Sequence, residues 1–251
     1  MSEWLRRVTR NHLGSARTGS NPVGVACFSV QQKPGFFMDQ LAISKLQAYV
    51  QIPTVHPDPD YGPAVEFLID YAKELGLSAQ VIALAEGKPA VLMEWSCGNC
   101  QETILLNSHM DVVPVERSEW TVDPFAASIK DGFIYGRGVQ DMKSIGISYL
   151  EAIRRLQQRG FTPRRRIVLS FVPDEEIGAV KGMQILIKRP EFQRLQVSLA
   201  LDEGYANPEW ILVHAQERAP NWLEVECRGP TGHGSLLLKN TAMEKAVFAS
   251  S

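Results

Sequence analysis

Imidazole and carboxylate side chains recur directly behind short apolar runs in this 251-residue chain. His109 and Asp111 involve or follow "ILLNS", Asp141 ends "FIYGRGVQD", Asp174, Glu175 and Glu176 follow "RIVLSFVP", and Asp202 and Glu203 follow "VSLAL". In open α/β sheets, ligands bind in the crevice outside the carboxyl ends of the strands. Polar residues at these strand ends therefore point to one shared, acidic pocket. Carboxylates gathered there repel one another and rise in pKa unless cations compensate. A divalent metal, or a pair of them, resolves the conflict. One imidazole with several carboxylates and no thiolate suits Zn²⁺, with Mn²⁺ or Co²⁺ as alternatives.

Spacing adds detail. His109 and Asp111 are two residues apart, so on an extended segment both side chains point the same way. Asp111 can then hydrogen-bond the imidazole and fix its tautomer, as partners of ligating histidines do. The adjacent Glu175–Glu176 pair suits a division of labour, one carboxylate binding metal while the other takes a proton from water. Each signal alone has a plain structural explanation. An isolated His is commonly a hydrogen-bonded core or surface residue, and Asp-Glu-Glu before a helix complements the macrodipole. Their coincidence behind several strands favours the metal site.

The elements that must position these groups alternate in type. Leu41, Ile43, Leu46 and Val50 mark one face of a helix that ends before Pro53. Ala64, Val65, Leu68, Tyr71, Ala72 and Leu75 mark a second, stopped at Gly76. Val81–Leu84, Val91–Trp95 and Ile104–Leu106 are short strand candidates. A long helix is predicted over Met142–Arg159, closed by Gly160, then a strand over Ile167–Val172. A helix over Ile177–Lys188 and a short buried strand over Val197–Leu201 follow. This order predicts an α/β fold, a mixed, largely parallel sheet flanked by helices. Trp222–Cys227 reads as a further strand, alternating apolar and polar after Pro220, and as a candidate start of a second domain. Thr241–Lys245 begins an amphipathic helix from which the tail "AVFASS" departs.

Composition excludes other classes. Apolar residues make up 45%, charged residues 22%, and the formal charge is −2. No strong field favours nucleic acid or an anionic membrane, and no apolar run approaches the roughly 18 residues that span a bilayer. The four cysteines (Cys27, Cys97, Cys100, Cys227) are few and scattered, which fits a reducing compartment. Cys97-Gly98-Asn99-Cys100 reads as a turn between strands, since a second cysteine pair to complete a zinc knuckle is absent. Gly136-Arg137-Gly138 lacks the third glycine of a phosphate loop. Gly234-Ser235 fails the nucleophile-elbow pattern at Leu237, and Arg164, Arg165 and Arg166 read as a solvated strand edge. Residues 1–37, with Arg6, Arg7, Arg10 and Arg17 against Glu3, are expected to be a disordered extension. A mitochondrial transit peptide is the alternative, and a cytoplasmic location is the expectation.

The phrases "LLNSHMDVVPV", "WTVDPF", "GFIYGRGVQDMK", "VPDEEIGAVKGM", "ALDEGYANP" and "GPTGHGS" follow one another. In that order they resemble the dinuclear-zinc peptidase family of aminoacylases, carboxypeptidases, dipeptidases and desuccinylases. Trp120, Asp123, Arg189-Pro190-Glu191-Phe192 and Asn207-Pro208 favour its aminoacylase branch. The resemblance implies that His109 binds one zinc, Asp141 bridges two, Glu176 binds the other, and Glu203 rather than Asp202 completes the His109 side. It makes Glu175 the general base and Asp111 the orienting carboxylate, and it implies a cis Asp141–Met142 peptide. His233 matches a histidine that, in a homodimer, reaches the partner subunit's site and stabilises the tetrahedral intermediate. Hydrolysis of N-acyl-L-amino acids to a carboxylate and a free L-amino acid is the implied activity, with dipeptide hydrolysis as the alternative.

The resemblance also implies a domain plan. Residues 38–219 would be the front part of a catalytic domain and 220–251 the beginning of a small α+β lid and dimerisation domain. Family chains run longer, and the second zinc's histidine and the substrate-carboxylate contacts fall beyond Ser251. The 251 residues alone are therefore expected to be inactive or nearly so, and a non-catalytic fragment acting through protein binding is a further alternative.

Overall fold

A computed structural model describes residues 36–98, 100, 102–204, 224–233, 236 and 238–249. The expectations for residues 1–35 and for Asn207, Pro208, Trp222, Gly234 and Ser235 lie outside them. The chain divides into two units, Met1–Leu212 and Val213–Ser251.

In the first unit, helix α1 (Phe36–Val50) stops ahead of Pro53, and α2 (Gly62–Glu74) starts with Pro63 in its first turn. Proline fits there because its missing N–H has no helical partner to lose. Gly76 ends α2 at φ +64°, a conformation that costs glycine little. Strands β1 (Ser78–Ala85), β2 (Lys88–Trp95) and β3 (Thr103–His109) follow, then a two-strand ribbon of β4 (Ser128–Lys130) and β5 (Phe133–Tyr135). Helix α3 (Ser144–Gln158) and strand β6 (Arg166–Val172) lead to the short helices α4 (Met183–Leu186) and α5 (Pro190–Gln193), and strand β7 (Val197–Leu201) comes last.

The main sheet has the order β1-β2-β6-β3-β7. β1 pairs with β2 and β2 with β6 antiparallel, while β3 lies parallel to both β6 and β7. The fold is thus α/β with a mixed, partly parallel sheet. Alternation along each strand sorts the core into two layers. Val91, Met93, Leu169 and Phe171 face Tyr49, Leu68, Tyr71, Leu150 and Ile153 of the three long helices. Leu92, Leu105, Val168 and Val172 face Leu186 and Leu195 on the other side.

Four expectations for this unit need correction. The helix after Glu176 is short: Gly178 (φ +91°) and Ala179 (φ +55°) break the backbone, and only Met183–Leu186 is α-helical. Helix α3 begins at Ser144 rather than Met142, because Asp141 and Met142 hold non-helical angles. Among the described residues β7 is an edge rather than a buried strand, with Leu199 and Leu201 47% and 46% exposed. The turn that holds Cys97 and Cys100, Cα atoms 5.9 Å apart, does not join paired strands, because β6 lies between β2 and β3.

In the second unit, residues 224–227 are not strand, and α6 (Ala242–Ala249) continues through most of the tail expected to depart from it. The Thr241 hydroxyl accepts the Glu244 N–H at 3.2 Å, and the Glu244 carboxylate accepts the Thr241 N–H at 3.0 Å. This reciprocal cap satisfies two donors at the helix start. No described helix is long and apolar enough to cross a membrane.

Candidate metal centre

β3 delivers His109 at its last position, wholly buried. The register places His109 beside Val172, the last residue of β6, so both strands end at one level. The Met110 N–H donates to Val172 O at 2.8 Å and continues the pairing past the strand end. The Asp174-Glu175-Glu176 turn therefore emerges next to His109.

The imidazole is held at both nitrogens. Nδ1 donates to the main-chain carbonyl of Asp111 at 2.9 Å, whereas the Asp111 carboxylate stands 3.6 Å from it. At that separation a carboxylate is not a hydrogen-bond partner, so the carbonyl sets the tautomer and leaves Nε2 facing the pocket. Nε2 lies 2.9 Å from Asp141 Oδ1, 3.7 Å from Glu203 Oε1 and 3.9 Å from Glu175 Oε2. His109, Asp141 and Glu203 form a group whose ligand atoms all lie within 4.8 Å of one another. Glu176 is outside that group but close enough to Asp141 to feel its charge.

Each carboxylate has its own support. Asp141 sits in a turn whose far end, Lys143, is buried and donates from Nζ to the carbonyls of Tyr49 (3.1 Å) and Ile52 (2.7 Å) at the end of α1. The Asp141–Met142 peptide is cis. Behind β7, Asn107 Nδ2 donates to Asp202 Oδ2 at 2.8 Å, and Ser170 Oγ donates to Asn107 Oδ1 at 2.6 Å. Asp202 is thereby tied back to the sheet, and Glu203 is the member of that pair that faces His109. Asp111, also wholly buried, accepts the N–H groups of Glu175 and Glu176 at 3.1 and 3.0 Å. Buried Asp174 holds a left-handed backbone and accepts from Tyr61 Oη (2.9 Å) and Lys88 Nζ (2.8 Å).

Electrostatics describe a site that demands positive charge. Burial opposes a proton on His109, but the Asp111 and Asp141 carboxylates override it and push the imidazole up to about 11. Burial and the charge of Asp141 push Glu176 up to about 7 and Glu203 up to about 8. Burial also raises Glu175. Asp111 goes the other way: burial alone would raise it, yet the imidazoles of His109 and His56 and the Glu176 N–H hold it near 2. Carboxylates this crowded cannot all ionise without a compensating cation. A divalent ion coordinated by one imidazole nitrogen and carboxylate oxygens fits that need, and the donor set suits zinc.

Expected site residues thus fall into two groups. His109, Asp111, Asp141, Glu175, Glu176 and Glu203 meet at the carboxyl ends of β3, β6 and β7, while His233 lies exposed in the second unit. Sequence reasoning passed over His56, Tyr61, Lys88 and Lys143. Only Lys143 left a signal, as a cation at the start of a helix whose following positions 144, 146 and 147 are buried.

Comparison with known proteins agrees. Residues 105–222 match the model of peptidase family M20/M25/M40. Over 207 residues the chain is 48% identical to aminoacylase-1A of Rattus norvegicus, covering 81% of this chain and 51% of that protein. It is 47% identical to aminoacylase-1 of Sus scrofa with the same coverage. The chain therefore spans about half the length of the curated relatives it matches. A crystal structure of an M20 family metallo-carboxypeptidase from Sulfolobus solfataricus aligns with TM-score 0.59 at 27% identity, covering 65% of this chain and 37% of that one. The motif order, the strand-end cluster and these likenesses converge: the chain is an aminoacylase-1 homologue whose residues 105–222 match peptidase family M20/M25/M40.

Proposed function

We propose that this chain carries the metal-binding half of a zinc-dependent hydrolase that cleaves the amide bond of N-acyl-L-amino acids, giving a carboxylate and a free L-amino acid. One observation carries the chemistry: His109 Nε2 faces the carboxylate oxygens of Asp141, Glu203 and Glu175 within 2.9–3.9 Å. The substrate class follows the aminoacylases, which are 47–48% identical. Zinc, when bound by His109, Asp141, Glu176 and Glu203, supplies Lewis acidity toward the acyl carbonyl. Glu175 is the proton carrier. Its side chain is 45% exposed, so Oε2 can reach a water molecule. Its raised pKa brings it toward the range where one carboxyl can take a proton and later return it to the departing amine. Asp111 holds the backbone of that residue and so aims it.

The test is a substrate panel on the purified full chain with added zinc, comparing N-acetyl-L-amino acids with unblocked dipeptides. Release of acetate, abolished by Glu175→Gln, supports the proposal. Preferential dipeptide cleavage replaces it with a peptidase activity. Zinc binding without turnover of either class restricts these 251 residues to metal binding.

A further inference from the structure

The segment between α1 and α2 runs alongside the residues that follow β3. Val55 bridges Val112 in parallel register, Val112 N donates to Thr54 O at 2.9 Å, and His56 N donates to Val112 O at 3.2 Å. Thr54 Oγ1 donates to Met110 O. Backbone pairing of this kind sets His56 directly against Asp111. The His56 side chain is buried, and its Nε2 lies 2.7 Å from Asp111 Oδ2.

Asp111 Oδ2 also accepts the Glu176 N–H, and Oδ1 accepts the Glu175 N–H. A carboxylate with no exposure depends wholly on such donors. Among its described partners, His56 is the only side chain donating within hydrogen-bond distance, since the His109 ring stands 3.6 Å away and is bound to the carbonyl instead. An ionised carboxylate only accepts, so Nε2 carries the proton and donates. With this donor in place, the two oxygens are fixed against two adjacent amides. Without it, Oδ2 keeps one partner and the carboxylate can turn about its last bond.

We propose that His56 is a positioning residue that acts through Asp111 to aim the Glu175–Glu176 pair at the metal centre. This rests on the metal-dependent hydrolase reading of the site. Asp174, one residue earlier, is held independently, because its N–H donates to Tyr61 Oη at 3.0 Å and its carboxylate accepts from Tyr61 and Lys88. The two holds are separable, which makes Asp174 an internal reference.

The experiment compares the 251-residue wild-type chain with His56→Phe, which keeps a ring and loses the donor, and His56→Gln, which keeps an N–H near the Nε2 position. Amide hydrogen exchange is measured on chelator-treated protein, and zinc affinity by competition with a chromophoric chelator, with His109→Ala as the control. In His56→Phe the Glu175 and Glu176 amides are expected to exchange about tenfold faster while Asp174 is unchanged. Zinc affinity falls about tenfold in the same variant, and His56→Gln stays within about threefold of wild type by both measures. His56→Leu serves in place of Phe if the larger ring prevents folding. Wild-type exchange in the donor-free variant, equal loss in the Gln variant, or equal acceleration at Asp174 overturns the proposal. If wild type and His109→Ala bind zinc equally weakly, the metal reading fails, and the amide exchange still decides whether His56 positions the pair.

Discussion

His109 Nε2 and Asp141 Oδ1 stand 2.9 Å apart although the residues are 32 positions apart and belong to different elements. His109 is rigid at the end of β3 and wholly buried, whereas the Asp141 side chain is 61% exposed. A metal bound here would be held by an anchored imidazole on one side and by a carboxylate open to the pocket on the other. The contact also explains why the ionisation of the two groups is linked, each favouring the charged form of the other.

Removing the anchor should remove the metal. His109→Ala is expected to lose most zinc binding, since it deletes the one nitrogen in a set otherwise built from carboxylates. Glu203→Gln keeps the shape but withdraws a charge, and is expected to weaken binding by about 10- to 100-fold. Zinc per chain after dialysis, measured by atomic emission, checks both. Undiminished zinc in His109→Ala would place the metal elsewhere.

The pH dependence has a definite sign. Glu176 and Glu203 titrate near 7 and 8 in the folded chain, above their ordinary value of 4.5. Between about pH 4.5 and 7 the folded state therefore binds more protons than the unfolded state, and stability falls as pH rises. Chelator-treated protein should melt at lower temperature at pH 7 than at pH 5. Zinc competes with the same protons, so its affinity should rise across that window, with proton release detectable by calorimetry in buffers of differing ionisation enthalpy. Above pH 7 His109 and Lys143 pull in opposite directions, because His109 is raised and burial lowers Lys143 to about 7. A melting temperature that climbs from pH 5 to 7 in the chelated protein would contradict this assignment.

How much of this was legible beforehand depended on the range of the interaction. Strand ends carrying His109, Glu175, Glu176 and Glu203 were readable because hydrophobic runs are local and the chemistry sits immediately behind them. The helix limits at Pro53 and Gly76 were readable for the same reason. The supporting residues were not. His56 meets Asp111 across 55 positions, and Tyr61 meets Asp174 across 113, through pairings that no local pattern encodes. Ile177–Lys188 misled because its apolar spacing suits a helix, while the left-handed Gly178 and Ala179 interrupt it. β7 misled because five residues of apolar-rich sequence look alike in the middle of a sheet and at its edge.

Gly138 should not tolerate a side chain. It adopts φ +84°, and a Cβ there would meet Val112 Cγ1 at 2.7 Å. Left-handed strain and overlap with a buried neighbour together should destabilise Gly138→Ala by about 2–4 kcal/mol. The turn that carries Asp141 starts at this residue, so zinc affinity should fall as well. Gly160→Ala is the control, because its φ is +67° with no atom within 4 Å of the added carbon. Strain alone operates there, and the loss should be about 1 kcal/mol with zinc binding intact. Urea denaturation of both variants makes the comparison, and equal losses would show that the contact with Val112 is relieved by movement.

Tyr61→Phe isolates the second support of the acidic turn. The hydroxyl donates to Asp174 Oδ1 at 2.9 Å and accepts the Asp174 N–H at 3.0 Å, so one oxygen closes both ends of a left-handed residue. Loss of that oxygen leaves a buried N–H without its partner, while Lys88 Nζ remains on the carboxylate at 2.8 Å. An unsatisfied buried amide costs about 1–3 kcal/mol, and the fall in stability should lie in that range. Lys88→Met removes the other donor to the same oxygen. Because both variants act on one carboxylate, their combined effect should differ from the sum by about 0.5 kcal/mol or more. A double-mutant cycle from urea midpoints measures this coupling, and strict additivity would mean that Tyr61 and Lys88 support the turn independently.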